Sequence, residues 1–212
     1  MHSNPAMATR RPPPASPTLE NLDRWRQARF LAVDVETTGL SPSRDRVIEV
    51  AWVLFEGGRA GAGQASLCRV DVPIPRAITE LTRITAAELL FAPTFAEVAP
   101  RLLEALSGAD FAVAYNAPFD TGFLGAELAR VGERLPPLPF VDPLPWSRRL
   151  HPHERVHRLA EVCRRHRVPL DGAHRALADA RAAGQLALRL GAALKAPPPA
   201  PRASRAPGGR AP

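Results

Sequence analysis

The run FLAVDVETTGL, Phe30 to Leu40, decides how this chain folds. Its apolar residues predict a buried strand, closed by Thr37, Thr38 and Gly39, which open a loop. Two carboxylates, Asp34 and Glu36, lie inside that strand. Burying one acid is costly, and burying two of like charge is worse. Side chains on a strand alternate faces, so residues two apart point the same way, with alpha carbons about 6.5–7 Å apart. That separation suits two carboxylates holding one divalent cation between them. The plainer alternative is a pair of solvent-facing acids on a half-exposed strand.

Outward from this strand, DRVIEVAWVLFEGG (Asp45–Gly58) and QASLCRVDVPI (Gln64–Ile74) predict two more strands. A Gly-rich turn over Gly57–Gly63 would join them, making a three-strand meander. TAAELLFA (Thr85–Ala92) and TFAEVAPRLLEALSG (Thr94–Gly108) predict helices, the second capped by Thr94 and stopped by Gly108. ADFAVAYN (Ala109–Asn116) is a fourth strand, followed by a helix in FDTGFLGAELARVG (Phe119–Gly132). PFVD (Pro139–Asp142) adds a short fifth strand. In ERVHRLAEVCRRHRV, Val156, Leu159, Ala160 and Cys163 stand at helical spacing. The last helix covers most of His174–Leu194. The fold class is α/β, a mixed five-stranded sheet with helices packed on it.

A chain of 212 residues holds one ordinary domain plus tails. The Pro/Arg-rich residues 1–18 and the Pro/Ala/Arg-rich residues 195–212 predict disordered tails around a domain spanning 19–194. The net charge is +7, yet the tails supply six of those charges, so the basic pI is weak testimony about partners. Cys68 and Cys163 are too few for a disulfide framework and predict two small buried apolar residues. No apolar run reaches the roughly 20 residues of a membrane span, and the N-terminus lacks a signal-peptide core. The expectation is a reduced, cytoplasmic protein with no membrane partner.

Two further clusters carry chemistry. In AYNAPFD (Ala114–Asp120) the fourth strand ends at Asn116, and Asp120 falls at the start of the next helix. An ordinary helix cap is the plain reading there; the other is a third acid delivered from a second strand end. In GAHRALADA (Gly172–Ala180), His174 precedes Asp179 by five residues, about 140° apart on a regular helix. Both face one site only if His174 lies on the incoming loop or a loose first turn. Four acids and one histidine without cysteine favour Mg²⁺ or Mn²⁺, two of which form the clamp used for displacement at phosphorus.

The motifs DVETTG, YNAPFD and HRALADA, in that order and spacing, resemble the DEDDh 3′–5′ exonucleases. This is the DnaQ-like family of the ribonuclease H-like superfamily, which includes the proofreading epsilon subunit of bacterial DNA polymerase III. The resemblance implies that Asp34, Glu36, Asp120 and Asp179 hold two divalent ions and that His174 is the general base. It further implies products that are nucleoside 5′-monophosphates, and a grip on the terminal nucleotide by Thr37, Thr38, Gly39 and Leu40. Leu40 is the candidate wedge beside the last base, while Asn116 and Phe119 match positions that shape the site. A sister group has tyrosine four residues before its last Asp; Arg175 stands there, which fits the histidine type. Departures from the family pattern are Tyr115 in place of a frequent histidine, Arg83 in place of a frequent glycine, and Pro143 and Pro145 at a helix start.

Between Arg148 and Arg167, seven arginines face two acids, with four histidines interspersed. Arg148 and Arg149 are candidate phosphate-backbone contacts, and a solvated basic helix face is the alternative. Trp146 and Phe119 are either stacking platforms for bases or core residues. Three functional readings stand. One is a metal-dependent 3′–5′ exonuclease on DNA ends, in proofreading or repair, with a DNA polymerase as a candidate partner. The second has the same chemistry on RNA. The third is a nucleic-acid-binding scaffold on an inactive nuclease fold.

Overall fold

Five strands assemble in the order β3-β2-β1-β4-β5 in the computed structural model of the chain, which describes residues 27–194. The two predicted tails, and residues 19–26 of the predicted domain, lie outside the described residues. The central strand β1 (Phe30–Thr37) pairs antiparallel with β2 (Val47–Glu56), which pairs antiparallel with β3 (Arg59–Leu67). On its other side β1 runs parallel to β4 (Phe111–Val113), and β4 to β5 (Phe140–Val141). A meander followed by parallel strands is the predicted sheet.

Alternation along β1 sends its residues into two cores. Leu31, Val33 and Val35 pack with Val98, Leu102 and Leu106 of α3 (Phe95–Ser107) and with Leu124 and Leu128 of α4 (Ala117–Arg130). Phe30 and Ala32 take the opposite face with Ala180, Ala183 and Ala187 of α7 (Ala176–Leu194). Phe30 stacks between Phe55 and Phe111 of the flanking strands, with ring centroids 4.8 and 5.1 Å apart. Asp34 and Glu36 continue the Phe30–Ala32 row, so they emerge on the face that α7 covers. The close seating of α7 needs its small residues. A Cβ at Gly184 would collide with the Phe55 ring and lie 3.0 Å from the Ala32 Cβ.

The remaining helices are α1 (Arg76–Thr82), α2 (Ala86–Leu90), α5 (Pro143–Leu150) and α6 (Leu159–His166). Thr85 begins α2 with a capping box to Glu88. Before α3, the Glu97 carboxylate accepts from the Thr94 N–H and hydroxyl, both at 2.7 Å. Two departures from the family pattern prove compatible with the fold. Arg83 ends α1 in the left-handed conformation, φ 64°, that a glycine adopts without strain. At α5, Asp142 caps the Leu144 N–H at 2.9 Å, and Pro143 occupies the first helical position, where a missing N–H costs nothing.

Three local expectations need correction. The β2–β3 turn is only Gly57 and Gly58, at φ 62° and 71°, so Gly61 and Gly63 belong to the edge strand itself. Positive φ at both turn residues matches the twist of a hairpin. Strand β3 ends at Leu67, short of the predicted Ile74. Helix α6 starts only at Leu159, Val156 and Ala160 are exposed, and the buried pair is Val162 and Cys163. The apolar spacing from Val156 was coincidental, because residues 152–158 form a surface loop. Both cysteines are buried and free, as expected. Among the described residues, no helix is long and apolar enough to cross a membrane.

Candidate active site

Three elements deliver four carboxylates to the carboxyl ends of β1 and β4, a common location for sites in sheets with parallel strands. β1 brings Asp34 and Glu36, both half-buried. The first turn of α4 brings Asp120 and the first turn of α7 brings Asp179, both buried. β4 pairs with β1 only from Phe30 to Ala32, so β1 runs on beyond its neighbour. Past that point the Val35 N–H donates to Asp120 Oδ1 at 3.2 Å, which docks the start of α4 on the strand. The turn into α4 depends on Asn116, held at φ 66°, whose N–H donates to Asp142 Oδ1 at 2.9 Å.

His174 sits outside the regular helix, the placement that a site shared with Asp179 requires at a five-residue spacing. It takes the left-handed conformation at φ 64°, and its N–H donates to Asp179 Oδ2 at 3.2 Å. One potential ligand atom each from Glu36, His174 and Asp179 then lie within 4.8 Å of one another.

The electrostatics match a cluster of unneutralised acids. Burial first, then the charges of Asp120, Asp179 and Glu36, push the Asp34 carboxyl well above the usual carboxylate range. Burial and the nearby Asp179 and Glu49 raise Glu36 to about 8, with Arg175 opposing. Burial raises Asp179 to about 6 against the His174 N–H bond and ring, and burial raises Asp120 as well. Asp179 Oδ1 is buried without a hydrogen-bond partner, a costly arrangement for a carboxylate oxygen. An orphan oxygen among further carboxylates and one imidazole fits a hard divalent cation. Glu36, Asp179 and His174 are the groups close enough together to hold one, while Asp34 and Asp120 lie near enough to feel the same charges.

The expected substrate-gripping residues divide by environment. Thr37 and Thr38 are buried with their hydroxyls engaged inside the loop. Thr37 Oγ1 donates to the Gly39 carbonyl at 2.6 Å, and Thr38 Oγ1 accepts the Arg46 N–H at 3.0 Å. Leu40 is 85% exposed beside them. Asn116 is exposed and lines a cleft of about 730 Å³ with Tyr115, Leu144, Arg148 and His174. Arg149 is exposed on the same helix, one residue further round from the cleft-lining Arg148. Phe119 packs half-buried against Phe123 at 4.8 Å, and Trp146 packs against both inner clusters around α7. A second cleft, of about 1000 Å³, reaches His174 and Asp179 from the α6 side, past Arg158 and Arg165.

Sequence reasoning missed Glu49. It stands opposite Glu36 in the β1–β2 register, 2% exposed, and accepts from Arg175 Nη2 at 2.9 Å and from the Ala176 N–H at 3.0 Å. The argument that singled out Asp34 applies equally to a lone acid inside VIEVAWV and would have found it. Also missed was the loop anchor at Tyr115, whose hydroxyl donates to the His157 carbonyl at 2.6 Å.

Comparison with known proteins bears on the fold and the family. The family model described as Exonuclease (RNase_T) matches residues 31–187. The chain is 34% identical over 157 residues to DNA polymerase III PolC-type of Clostridium perfringens, covering 74% of this chain and 11% of that protein. It is 34% identical over 163 residues to the 3′–5′ exonuclease DinG of Bacillus subtilis, covering 76% of this chain and 17% of that one. The chain thus spans only a tenth to a sixth of the length of these curated relatives. Exonuclease X, solved with 5′-overhanging duplex DNA, superposes with a TM-score of 0.63 at 24% identity, over 77% of this chain and 92% of that one. The family match over residues 31–187 shows it: this chain belongs to the DnaQ-like exonuclease family.

Proposed function

We propose that this protein is a metal-dependent 3′–5′ exonuclease that releases nucleoside 5′-monophosphates from DNA 3′ ends. The observation that carries the reading is the convergence of Asp34, Glu36, Asp120 and Asp179 from three elements, with one Asp179 oxygen unpartnered beside His174. The DNA substrate is favoured by the PolC-type relatives and by the DNA held in the Exonuclease X structure. A polymerase partner, in proofreading, is the biological setting those relatives suggest.

Asp34, Glu36, Asp120 and Asp179 would hold two divalent cations, Mg²⁺ or Mn²⁺. When bound, the cations supply charge neutralisation and Lewis acidity at the scissile phosphodiester. The chain's own groups do the rest. His174 takes a proton on its imidazole from the attacking water. The new P–O bond forms as the bond from phosphorus to the 3′ oxygen breaks, and that oxygen leaves with a solvent proton as the new 3′ end. Asp179 Oδ2, holding the His174 N–H, keeps the ring on the site's rim. Leu40 and Phe119 flank the terminal base, and Asn116 and Arg148 line the path of the strand that leads to it.

The test is digestion of matched 5′-labelled DNA and RNA strands with and without Mn²⁺, with product length read against time. A 3′-shortening DNA ladder that needs the cation is the expected result. Faster shortening of RNA would move the substrate to RNA. No shortening of either strand, with binding retained, would make the protein a scaffold. Activity that survives both Asp34→Ala and His174→Ala would refute the site assignment.

A further inference from the structure

Glu49 has no part in the chemistry above, yet it is the most completely engaged acid near the site. Its side chain is 3% exposed, and its two oxygens take the Arg175 guanidinium at 2.9–3.3 Å and the Ala176 N–H at 3.0 Å. Arg175 and Ala176 are the two residues that follow His174. Glu49 therefore grips, from the neighbouring strand, the peptide segment that carries the imidazole. A non-glycine residue at φ 64° is strained and persists only where its surroundings over-determine it. On the near side the His174 N–H is fixed by Asp179, and on the far side Arg175 and Ala176 are fixed by Glu49. The bond to Ala176 also satisfies one orphan donor at the start of α7, the helix whose first turn bears Asp179.

We propose that Glu49, acting through Arg175 and the Ala176 N–H, is a positioning residue for His174 and Asp179. It is not a fifth cation ligand, since its oxygens are already committed to an arginine and a backbone N–H. Glu49 locks the left-handed turn, so that ring and carboxylate arrive at Glu36 together. A loose turn would leave the fold intact and the cleft open to substrate while the imidazole wandered. The inference rests on the exonuclease reading for its kinetic arm and on geometry alone for its structural arm.

The test compares Glu49→Gln, Arg175→Met and the double variant in the full chain. Hydrogen exchange is followed without added metal, and kcat and KM are measured on single-stranded DNA with Mn²⁺. Each single variant should lower kcat by about tenfold or more and leave KM within about twofold, the pattern of an interaction that matters in the transition state. Exchange over 172–176 should speed up by about tenfold while the interior of α7 keeps its protection. The double variant should be no worse than the poorer single one, because the two residues act as a unit. Unchanged kcat, unchanged exchange over 172–176, or a kcat loss that follows a general loss of protection would each overturn the proposal. If Glu49→Gln folds poorly, Arg175→Met at its half-exposed position gives the reading. Should the wild-type protein degrade no nucleic acid, the exonuclease reading falls, and the exchange arm still decides whether Glu49 holds the turn.

Discussion

Glu127 and Asp34 are acids sunk into one small fold, and the fold treats them oppositely. Glu127 on α4 is 1% exposed and fully answered: Arg46 Nε at 2.8 Å, the Val47 N–H at 3.1 Å and Arg130 Nη1 at 3.2 Å all reach it. Asp34 lies among Asp120, Asp179 and Glu36, and no basic group is among the causes of its shift. A buried acid with its cations built in is structure. A group of buried and half-buried acids without them fits the proposed site for cations that arrive from solution. Glu49 stands between the two, matched like Glu127 but placed against the site like Asp34.

The largest effects should fall where the comparison is sharpest. Asp34→Ala should reduce nuclease turnover by roughly 10³-fold or more, the scale of losing several kcal/mol of charge stabilisation. Without divalent ions the same variant should melt no lower than wild type, because it removes a repelled carboxylate. Glu127→Ala should do the reverse. Removing it strands Arg46 and the buried Val47 N–H, at a cost of about 3 kcal/mol. In a domain of this size that lowers Tm by roughly 6–12 °C, while turnover per folded molecule holds. Thermal melts paired with rate measurements on both variants would decide it, and a large stability loss in the Asp34 variant would erase the distinction.

The comparison sharpens further with pH. In the metal-free protein Glu36 is held at about 8 and Asp179 at about 6, against ordinary values near 4. Across that window the folded state binds more protons than the unfolded one, so stability is full below about pH 4 and falls as pH rises towards 8. From pH 5 to pH 8 the metal-free Tm should drop by on the order of 10 °C on account of these groups. Mn²⁺ should restore it most at pH 8, and Glu36→Gln should flatten both the drop and the restoration. A metal-free Tm that rises over this range, with Glu36→Gln making no difference, would contradict the repulsion.

How much of this was legible depended on whether a residue's role is set by its own segment. The alternation around Asp34 and Glu36 fixes both the strand and the shared face, because period two needs no distant partner. Helix geometry gave the position of His174 on one condition, that it shares a site with Asp179. Helix α6 misled, because Val156 and Ala160 keep the apolar spacing while Tyr115, 41 residues before Val156, anchors the preceding segment as a loop through the His157 carbonyl. Glu49 was overlooked for a related reason. Its role depends on Arg175, which is 126 residues away in sequence. Thr37 and Thr38, expected to grip a nucleotide through backbone and side-chain groups, spend their hydroxyls on the loop, and nothing local announces that.

The smallest effect separates two neighbours on α5. Arg148 lines the cleft that also holds Asn116 and His174, whereas Arg149 is turned away by the 100° step between adjacent helical residues. Each is exposed, so neither contributes measurably to folding. If the strand runs through this cleft, Arg148 neutralises one phosphate and releases its counterion. Arg148→Ala should then weaken binding of single-stranded DNA and make the slope of log K against log salt shallower by about 0.7. Arg149→Ala should leave that slope where it was. Titrations of catalytically silent protein with a fluorescent oligonucleotide at several salt concentrations measure both slopes. Equal changes in the two variants would mean the basic face attracts DNA diffusely. No change in either would move the backbone to the larger cleft, past Arg158 and Arg165.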